Sequence, residues 1–432
     1  MHLLSKSGAT RKISKNTAYL TIGSITSKII GLLIFIYIAR NLGPSSYGEY
    51  WTVIGFVSLF AIITKFGLDM TVLREGVKNL DKIDEYQNKL FPIRLYLSII
   101  AIILMCGIAF FLPYTSELKI LISITSLILI IGGGISAGIS EHFNSTFRIV
   151  EKMQYIAILQ IIRVIAFVGI ILIFTYYDKL DVLSVIIALL LSSLITLLLR
   201  FLCSRKYVHY KFSLKIDWDF CKPMMHTAFW FGIASLLFMI YTKVDIQMLY
   251  MLSSSKEVGY YSVAWQIVNG GVIFSSALSL SLFPTTSRNI LKPGYSKKLF
   301  KLVSILAALS CIIATVIVLR SKAIIGILFG EKYISSALLL SILIWFIPTK
   351  VLMIWGAQSL ECANALKIRL VGYIVPLILN VSLNLYLIPR YDAVGAAIAS
   401  IFANFVMLAM LTYLARKVLL SKKYETLQEI RR

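Results

Sequence analysis

Five ionisable side chains interrupt long apolar segments of this 432-residue sequence and are the first candidates for chemistry. An ionisable group at the centre of a membrane-spanning helix costs about 2.5–3.5 kcal/mol on insertion scales, so it normally faces a cavity or a partner. Four of the five are basic and one is acidic: Lys28, Arg163, Lys243, Lys350 and Asp245. This excess of positive charge favours an anionic ligand. The alternative is that each basic side chain extends to the membrane surface.

A second candidate set consists of oxygen ligands around the acidic residue, Asp245. Asn380 and Asn384 are four residues apart, so they share one helix face, and Ser400 lies in the next apolar segment. A carboxylate, two amide carbonyls and a hydroxyl are hard oxygen ligands, suited to Na⁺ or to a proton-linked site. The alternative is that the asparagines only join helices through hydrogen bonds, worth about 0.6 kcal/mol each on average.

The elements that position these residues are apolar runs long enough to cross a bilayer. Hydrophobic residues make up 59% of the chain and the mean hydropathy is +0.85, well above soluble proteins. Runs of about 20 apolar residues match the hydrocarbon thickness. They predict an all-α polytopic membrane protein with spans at 17–40, 50–68, 91–112, 118–139, 155–176, 181–201, 225–252, 260–283, 299–319, 335–356, 368–389 and 393–416. Pro348 should kink the tenth span beside Lys350.

The net charge of +23 is explained by orientation rather than by nucleic acid, because the basic residues flank the spans. Lys and Arg concentrate on the side of the N-terminus, which predicts a multi-pass protein of the cytoplasmic (inner) membrane with both termini cytoplasmic. The predicted outside loops are too short for the catalytic site of a membrane enzyme. The histidines and cysteines show no metal-ligand spacing.

The two halves of the chain share short motifs, which predicts two pseudo-symmetric six-helix lobes in parallel orientation. Chance similarity between apolar segments is the alternative. The corresponding lobes are residues 1–204 and 225–432, joined by a cytoplasmic linker at 205–224. Such lobes usually enclose a central cavity. The repeated pairs are Gly48 and Tyr50 with Gly259 and Tyr261, and Tyr177-Asp178 with Tyr391-Asp392.

Two longer stretches carry a resemblance to a known family. Residues 38–50 read IARNLGPSSYGEY, and residues 384–400 read NLYLIPRYDAVGAAIAS, with Asp392 where a Gly is common. They resemble the polysaccharide (O-antigen type) flippases of the multidrug/oligosaccharidyl-lipid/polysaccharide exporter superfamily. The resemblance implies a non-enzymatic transporter that alternates access between leaflets. Its substrate would be a polyprenyl-diphosphate-linked sugar or oligosaccharide, supplied by glycosyltransferases and passed to a polymerase of the same pathway.

The resemblance also gives the candidate residues roles. Lys28, Lys243, Arg163 and Lys350 are expected to form a cationic cavity for the diphosphate, because a diphosphate crossing hydrocarbon needs its charge neutralised. Lys65 and Arg74 would guide the headgroup in from the cytoplasmic side, although membrane anchoring explains them equally well. Asp245, Asn380, Asn384 and Ser400 would hold a coupling ion, Na⁺ or H⁺, without any other cofactor. A multidrug or organic-cation antiporter on the same fold is the alternative, and it should carry more acidic residues.

Overall fold

The computed structural model describes residues 2–65, 80–133, 138–292, 294–363 and 365–431, and the regular elements within these ranges are helices. A helix satisfies all its own backbone hydrogen bonds, as a chain in hydrocarbon must. The first seven helices are α1 (His2–Lys65), α2 (Ile83–Phe111), α3 (Ser116–Thr125), α4 (Leu127–Ile131), α5 (Gly138–Ile149), α6 (Met153–Tyr176) and α7 (Val182–Ser204). The next seven are α8 (Trp218–Leu252), α9 (Ser255–Asn289), α10 (Tyr295–Leu319), α11 (Ser321–Phe329), α12 (Ser336–Leu343), α13 (Phe346–Cys362) and α14 (Leu366–Arg431).

The chain forms two compact units. The N-terminal unit contains the residues up to Leu42 together with Thr52–Met239, and the C-terminal unit contains Gly43–Trp51 together with Ile240–Arg432. In the described ranges, nine helices are long and apolar enough to cross a membrane. Two of them, α1 and α14, each include two predicted spans separated by a kink. The lobe boundaries expected from the sequence stay predictions.

The kinks lie at residues whose backbone adopts a left-handed conformation. Gly43, which precedes Pro44, has a φ of 76°, a value that costs glycine little because it has no Cβ. The corresponding kink in α14 lies at Asp392, with a φ of 48°. Aspartate is one of the few other residues that tolerate this region, and the Asp392 carboxylate accepts a 2.6 Å hydrogen bond from the Ser253 hydroxyl. Its repeat partner Asp178 has a φ of 53°.

Two predicted spans are not single helices. The predicted fourth span, 118–139, is divided into α3 and α4 and then interrupted at Gly132 and Gly133, whose φ values are 77° and 100°. Residues 134–137 lie outside the described ranges. The predicted tenth span is divided into α12 and α13, and Pro348 lies in the first turn of α13 instead of kinking a helix. A proline is tolerated there because the first turn leaves its N–H groups unpaired.

The predicted linker is attached to the N-terminal unit through α2. The Asn88 side chain donates to the His209 carbonyl at 3.0 Å and accepts from the Lys211 N–H at 2.6 Å. Lys89 forms a 2.9 Å ion pair with Asp217, just before α8. This hydrogen bond from the Lys89 ammonium holds the pKa of the Asp217 carboxyl below its usual value. The linker is therefore held against α2 by these hydrogen bonds and this ion pair.

The repeated turns pack directly on each other inside the C-terminal unit. A methyl group on Gly48 would lie 1.7 Å from the Ser255 carbonyl oxygen, and one on Gly259 would lie 2.0 Å from the Pro44 carbonyl oxygen. The Ser45 and Ser255 hydroxyls are joined by a 2.8 Å hydrogen bond. The two glycines therefore allow backbone-to-backbone contact that any side chain would prevent, as small residues do in membrane helix pairs.

We predict that Gly48→Ala destabilises the protein by about 1–3 kcal/mol or more, because the clash is with backbone that cannot rotate away. The measurement is thermal unfolding of the purified protein in detergent. Gly107→Ala is the matched control, since a methyl group there meets no atom within 4 Å. Equal melting temperatures for both variants would contradict this account of the contact.

Candidate functional site

The acidic residue Asp245 lies in α8 and is buried, with 7% of its surface exposed. Its Oδ1 accepts a 2.7 Å hydrogen bond from the Asn384 side-chain amide. Its Oδ2 accepts a 2.5 Å hydrogen bond from the Ser400 hydroxyl. Asn384 and Ser400 are on α14, on either side of the kink at Asp392. The kink therefore lets both halves of this long helix contact one carboxylate.

Two further side chains complete the network. The Tyr261 hydroxyl donates to Asp245 Oδ2 at 3.2 Å and lies 3.1 Å from the Ser400 hydroxyl. The Asn384 amide also donates to Asn380 Oδ1 at 3.1 Å. The structure thus brings together all four residues proposed for a coupling ion and adds Tyr261 from α9. The sequence analysis did not assign Tyr261 a role, although its place in the repeated turn was visible.

This network holds a buried carboxylate among neutral hydrogen-bond donors. In the described ranges, no ion pair includes Asp245, and burying an ionised carboxylate without a counter-charge costs several kcal/mol. A bound proton or a small cation would remove that cost. Asn384 Oδ1 is buried with no hydrogen-bond partner among the described atoms. Together with the Asp245, Asn380, Ser400 and Tyr261 oxygens, it makes a donor set that fits a small hard cation.

Asp245 and Asn384 should be strongly coupled in stability. Removing one partner of a buried charged hydrogen bond leaves the other unsatisfied, so we expect a coupling free energy of about 1–2 kcal/mol. The measurement is a double-mutant cycle of Asp245→Ala and Asn384→Ala, followed by unfolding in mixed micelles. Asn41→Ala is the control, and it removes an exposed hydrogen bond to the Tyr37 carbonyl. Its change in the free energy of unfolding should simply add to that of Asp245→Ala. A coupling energy near zero for Asp245 and Asn384 would contradict the hydrogen bond between them.

The basic residues of the C-terminal unit contact aromatic rings. Lys243 is half-buried, and its Nζ lies 5.9 Å from the centre of the Trp51 ring. Lys350 is half-buried on α13, with its Nζ 5.8 Å from the Tyr241 ring and 6.0 Å from the Phe346 ring. An aromatic face attracts a cation by about 0.5–2 kcal/mol but leaves its charge in place. Both ammonium groups are therefore oriented but not neutralised by these contacts.

Lys28, in the N-terminal unit, is exposed on α1. The large exposed apolar residues of this segment, Ile22, Ile25, Ile29 and Leu33, form one stripe. Helical geometry places Lys28 about 100° from the centre of that stripe. The face that bears Lys28 is therefore distinct from the most apolar face of the helix.

The structure describes one of the two residues expected at the headgroup entrance. Lys65 is exposed at the end of α1. Arg74 lies outside the described residues. The entrance role of this pair stays a prediction.

The sequence analysis underestimated the basic residues inside the predicted spans. Arg94 on α2 and Arg200 on α7 lie within the predicted third and sixth spans, and their exposed fractions are only 1% and 4%. Arg163 on α6 is half-buried in the same N-terminal unit. Neither Arg94 nor Arg200 was among the candidates named from the sequence, and the structure buries both side chains.

The family is decided by a match along most of the chain. The sequence profile described as polysaccharide biosynthesis protein matches residues 13–290, which is more than half of the sequence. The chain belongs to the polysaccharide biosynthesis protein family.

Individual relatives agree with this family assignment. An uncharacterized membrane protein of Methanocaldococcus jannaschii is 23% identical over 91% of this chain and 83% of its own length. A putative O-antigen transporter of Shigella flexneri is 23% identical over 90% of this chain and 94% of its own length. A probable low-salt glycan biosynthesis flippase of Haloferax volcanii is 25% identical over 37% of this chain and 34% of its own length.

Solved structures show the fold. The inward closed conformation of the lipid II flippase MurJ has a TM-score of 0.74 at 15% identity, over 94% of this chain and 90% of that one. An inward-facing multidrug resistance MATE family transporter has a TM-score of 0.72 at 15% identity, over 95% of this chain and 99% of that one. These matches confirm the fold class of an all-α polytopic membrane protein with about twelve spans in two lobes. The resemblance to the polysaccharide family is confirmed by the profile match.

Proposed function

We propose that this member of the polysaccharide biosynthesis protein family is a flippase for a polyprenyl-diphosphate-linked sugar or oligosaccharide. It would move this lipid from the cytoplasmic to the outer leaflet of the cell membrane by alternating access, with both termini cytoplasmic. The observation that carries the proposal is uncompensated positive charge within the predicted spans. Lys28, Lys243 and Lys350 form no ion pair among the described residues.

The proposed mechanism begins with charge neutralisation of the headgroup. The ammonium groups of Lys28, Lys243 and Lys350 would each attract a diphosphate oxygen as a compact point charge, and Arg163 would bind two oxygens through its planar fork. The rings of Trp51 and Tyr241 would keep the lysines extended while leaving their charge available to the lipid. The polyprenyl tail would stay in hydrocarbon throughout.

The Asp245 network is the proposed site of coupling to an ion gradient. A Na⁺ ion or a proton bound there would supply the positive charge that the buried carboxylate lacks. When it leaves, the Ser400, Tyr261 and Asn384 donors would turn toward the carboxylate, the arrangement present in this structure. Since these donors lie on α9 and on both parts of α14, ion release would change how these helices pack.

We predict that Lys28→Ala or Lys243→Ala reduces lipid-linked glycan export at least 10-fold, because the loss of one charge contact with the diphosphate exceeds about 1.4 kcal/mol. The measurement is complementation of a flippase-deficient strain, with the protein quantified in membranes. Lys301→Ala, on an exposed face of α10, is the control and should export normally. Full export by both test variants would remove the cationic-cavity proposal.

We predict that flipping by the reconstituted protein depends on a Na⁺ or H⁺ gradient, and that Asp245→Asn abolishes this dependence while the protein still folds. Asparagine preserves the shape and removes the charge that binds the ion. Its amide oxygen can accept from Asn384, and its N–H groups can donate to the Ser400 or Tyr261 hydroxyl oxygen, since a hydroxyl both donates and accepts. Flipping would be followed in vesicles with each gradient imposed separately. Unchanged gradient dependence in Asp245→Asn would place coupling elsewhere.

An organic-cation antiporter is the second candidate function, because the multidrug transporter fold matches nearly the whole chain. Such an activity needs acidic groups that a cationic drug can reach, whereas Asp245 is buried and bonded to three donors. This candidate would gain support if expression lowered drug sensitivity without affecting glycan export.

A further inference from the structure

A separate group of polar side chains converges on Gly133 inside the N-terminal unit. Gly133 lies where the predicted fourth span is interrupted, and its φ is 100°. A methyl group on Gly133 would lie 3.5 Å from Ser193 Oγ, 3.6 Å from Arg163 Cδ and 3.7 Å from Arg200 Nη1. Arg163 belongs to α6, and Ser193 and Arg200 belong to α7. Three chain segments thus bring two arginine side chains and one hydroxyl together around Gly133.

Arg200 and Ser193 are buried, and three of their polar atoms lack a hydrogen-bond partner among the described residues. Arg200 is 4% exposed and Ser193 is fully buried. Within the described part of the chain, Nε and Nη1 of Arg200 and Oγ of Ser193 have no hydrogen-bond partner. Leaving such a donor unsatisfied costs about 1–3 kcal/mol, and more for a charged group. Three donors in this condition indicate that the site is complete only with an acceptor bound.

The buried acid of the same unit is already bonded to other groups. Glu141 on α5 forms an ion pair with Arg148 and accepts a 3.0 Å hydrogen bond from the Asn144 amide. It attracts Arg200 at longer range, but in the described ranges no ion pair links the two. Arg200 therefore forms no ion pair with a carboxylate among the described residues.

We propose that Arg163, Arg200 and Ser193 form a binding site for one phosphate group inside the N-terminal unit. A phosphate has several acceptor oxygens, which suits two guanidinium forks and a hydroxyl donor at once. The half-buried Arg163 would be the entrance, and the buried Arg200 and Ser193 would hold the group. Gly133 keeps the space between them clear of a side chain.

The phosphate could be carried by a lipid or could be free in solution. If the proposed function holds, the source is the headgroup of the polyprenyl-linked lipid. Phosphate binding at this site does not depend on lipid translocation and can be measured separately from it.

The test is binding to the full-length protein in lipid nanodiscs, measured by native mass spectrometry and by melting temperature. The probes are polyprenyl diphosphate in the nanodisc, inorganic phosphate in solution, and chloride at equal ionic strength. We expect Arg200→Gln to weaken binding of a phosphate-bearing probe at least 10-fold and Ser193→Ala several-fold. Arg205→Gln, an exposed arginine just beyond the end of α7, is the matched control and should bind within twofold of the original protein.

The outcomes distinguish a lipid-linked phosphate from a free one, and they test the phosphate site separately from the proposed flippase function. Arginine-dependent binding of polyprenyl diphosphate without inorganic phosphate assigns the site to a lipid headgroup, and binding of both assigns it to phosphate in general. If Arg200→Gln fails to fold, Ser193→Ala alone decides, since it removes only one buried oxygen. Unchanged affinity in Ser193→Ala and in any folded Arg200 variant, or equal stabilisation by chloride, overturns the site. If Arg200-dependent binding persists but no flipping occurs, the site stands and the proposed function fails.

Discussion

The structure depends on one constraint: a charge placed in hydrocarbon needs a partner. Among the described residues, Lys28, Lys243, Lys350 and Asp245 lie in predicted spans and form no ion pair. Asp245 is bonded only to neutral donors among the described residues. Lys243 and Lys350 lie over aromatic rings instead of carboxylates. A protein selected only for stability would replace such groups by apolar residues, which often costs nothing or stabilises. Groups of this kind suit ligands of opposite charge, as the proposed function requires.

The backbone positions these charges through a few residues with unusual conformations. Gly43 and Asp392 reverse the chain between paired spans, and Gly132 and Gly133 interrupt another. The kink at Asp392 brings Asn384 and Ser400 to one carboxylate. The interruption at Gly133 leaves room beside Arg200. In both units, therefore, polar groups gather where a helix is broken, as is common where membrane proteins bind ions and anions.

Much of this arrangement could be predicted from the sequence, for identifiable reasons. Long apolar runs predict the spans, and the repeated Tyr-Asp motif predicts two similar halves. In the structure, both aspartates of this motif have a positive φ. The spacing of Asn380 and Asn384 predicts that they share one helix face, and the family resemblance grouped them with Asp245. The burial of Arg94 and Arg200 could not be predicted, because it depends on neighbouring helices. The division of the fourth span was also not predicted, because the hydropathy of a segment carries no information about its backbone φ angles.

In the proposed function, this positive charge receives the phosphate groups of a lipid carrier. The most direct test is translocation of a fluorescent polyprenyl-diphosphate sugar across vesicles that contain only the purified protein. The account predicts protein-dependent translocation that unlabelled polyprenyl diphosphate inhibits and organic cations do not. Vesicles that accumulate an organic cation but leave the lipid in its original leaflet would contradict it.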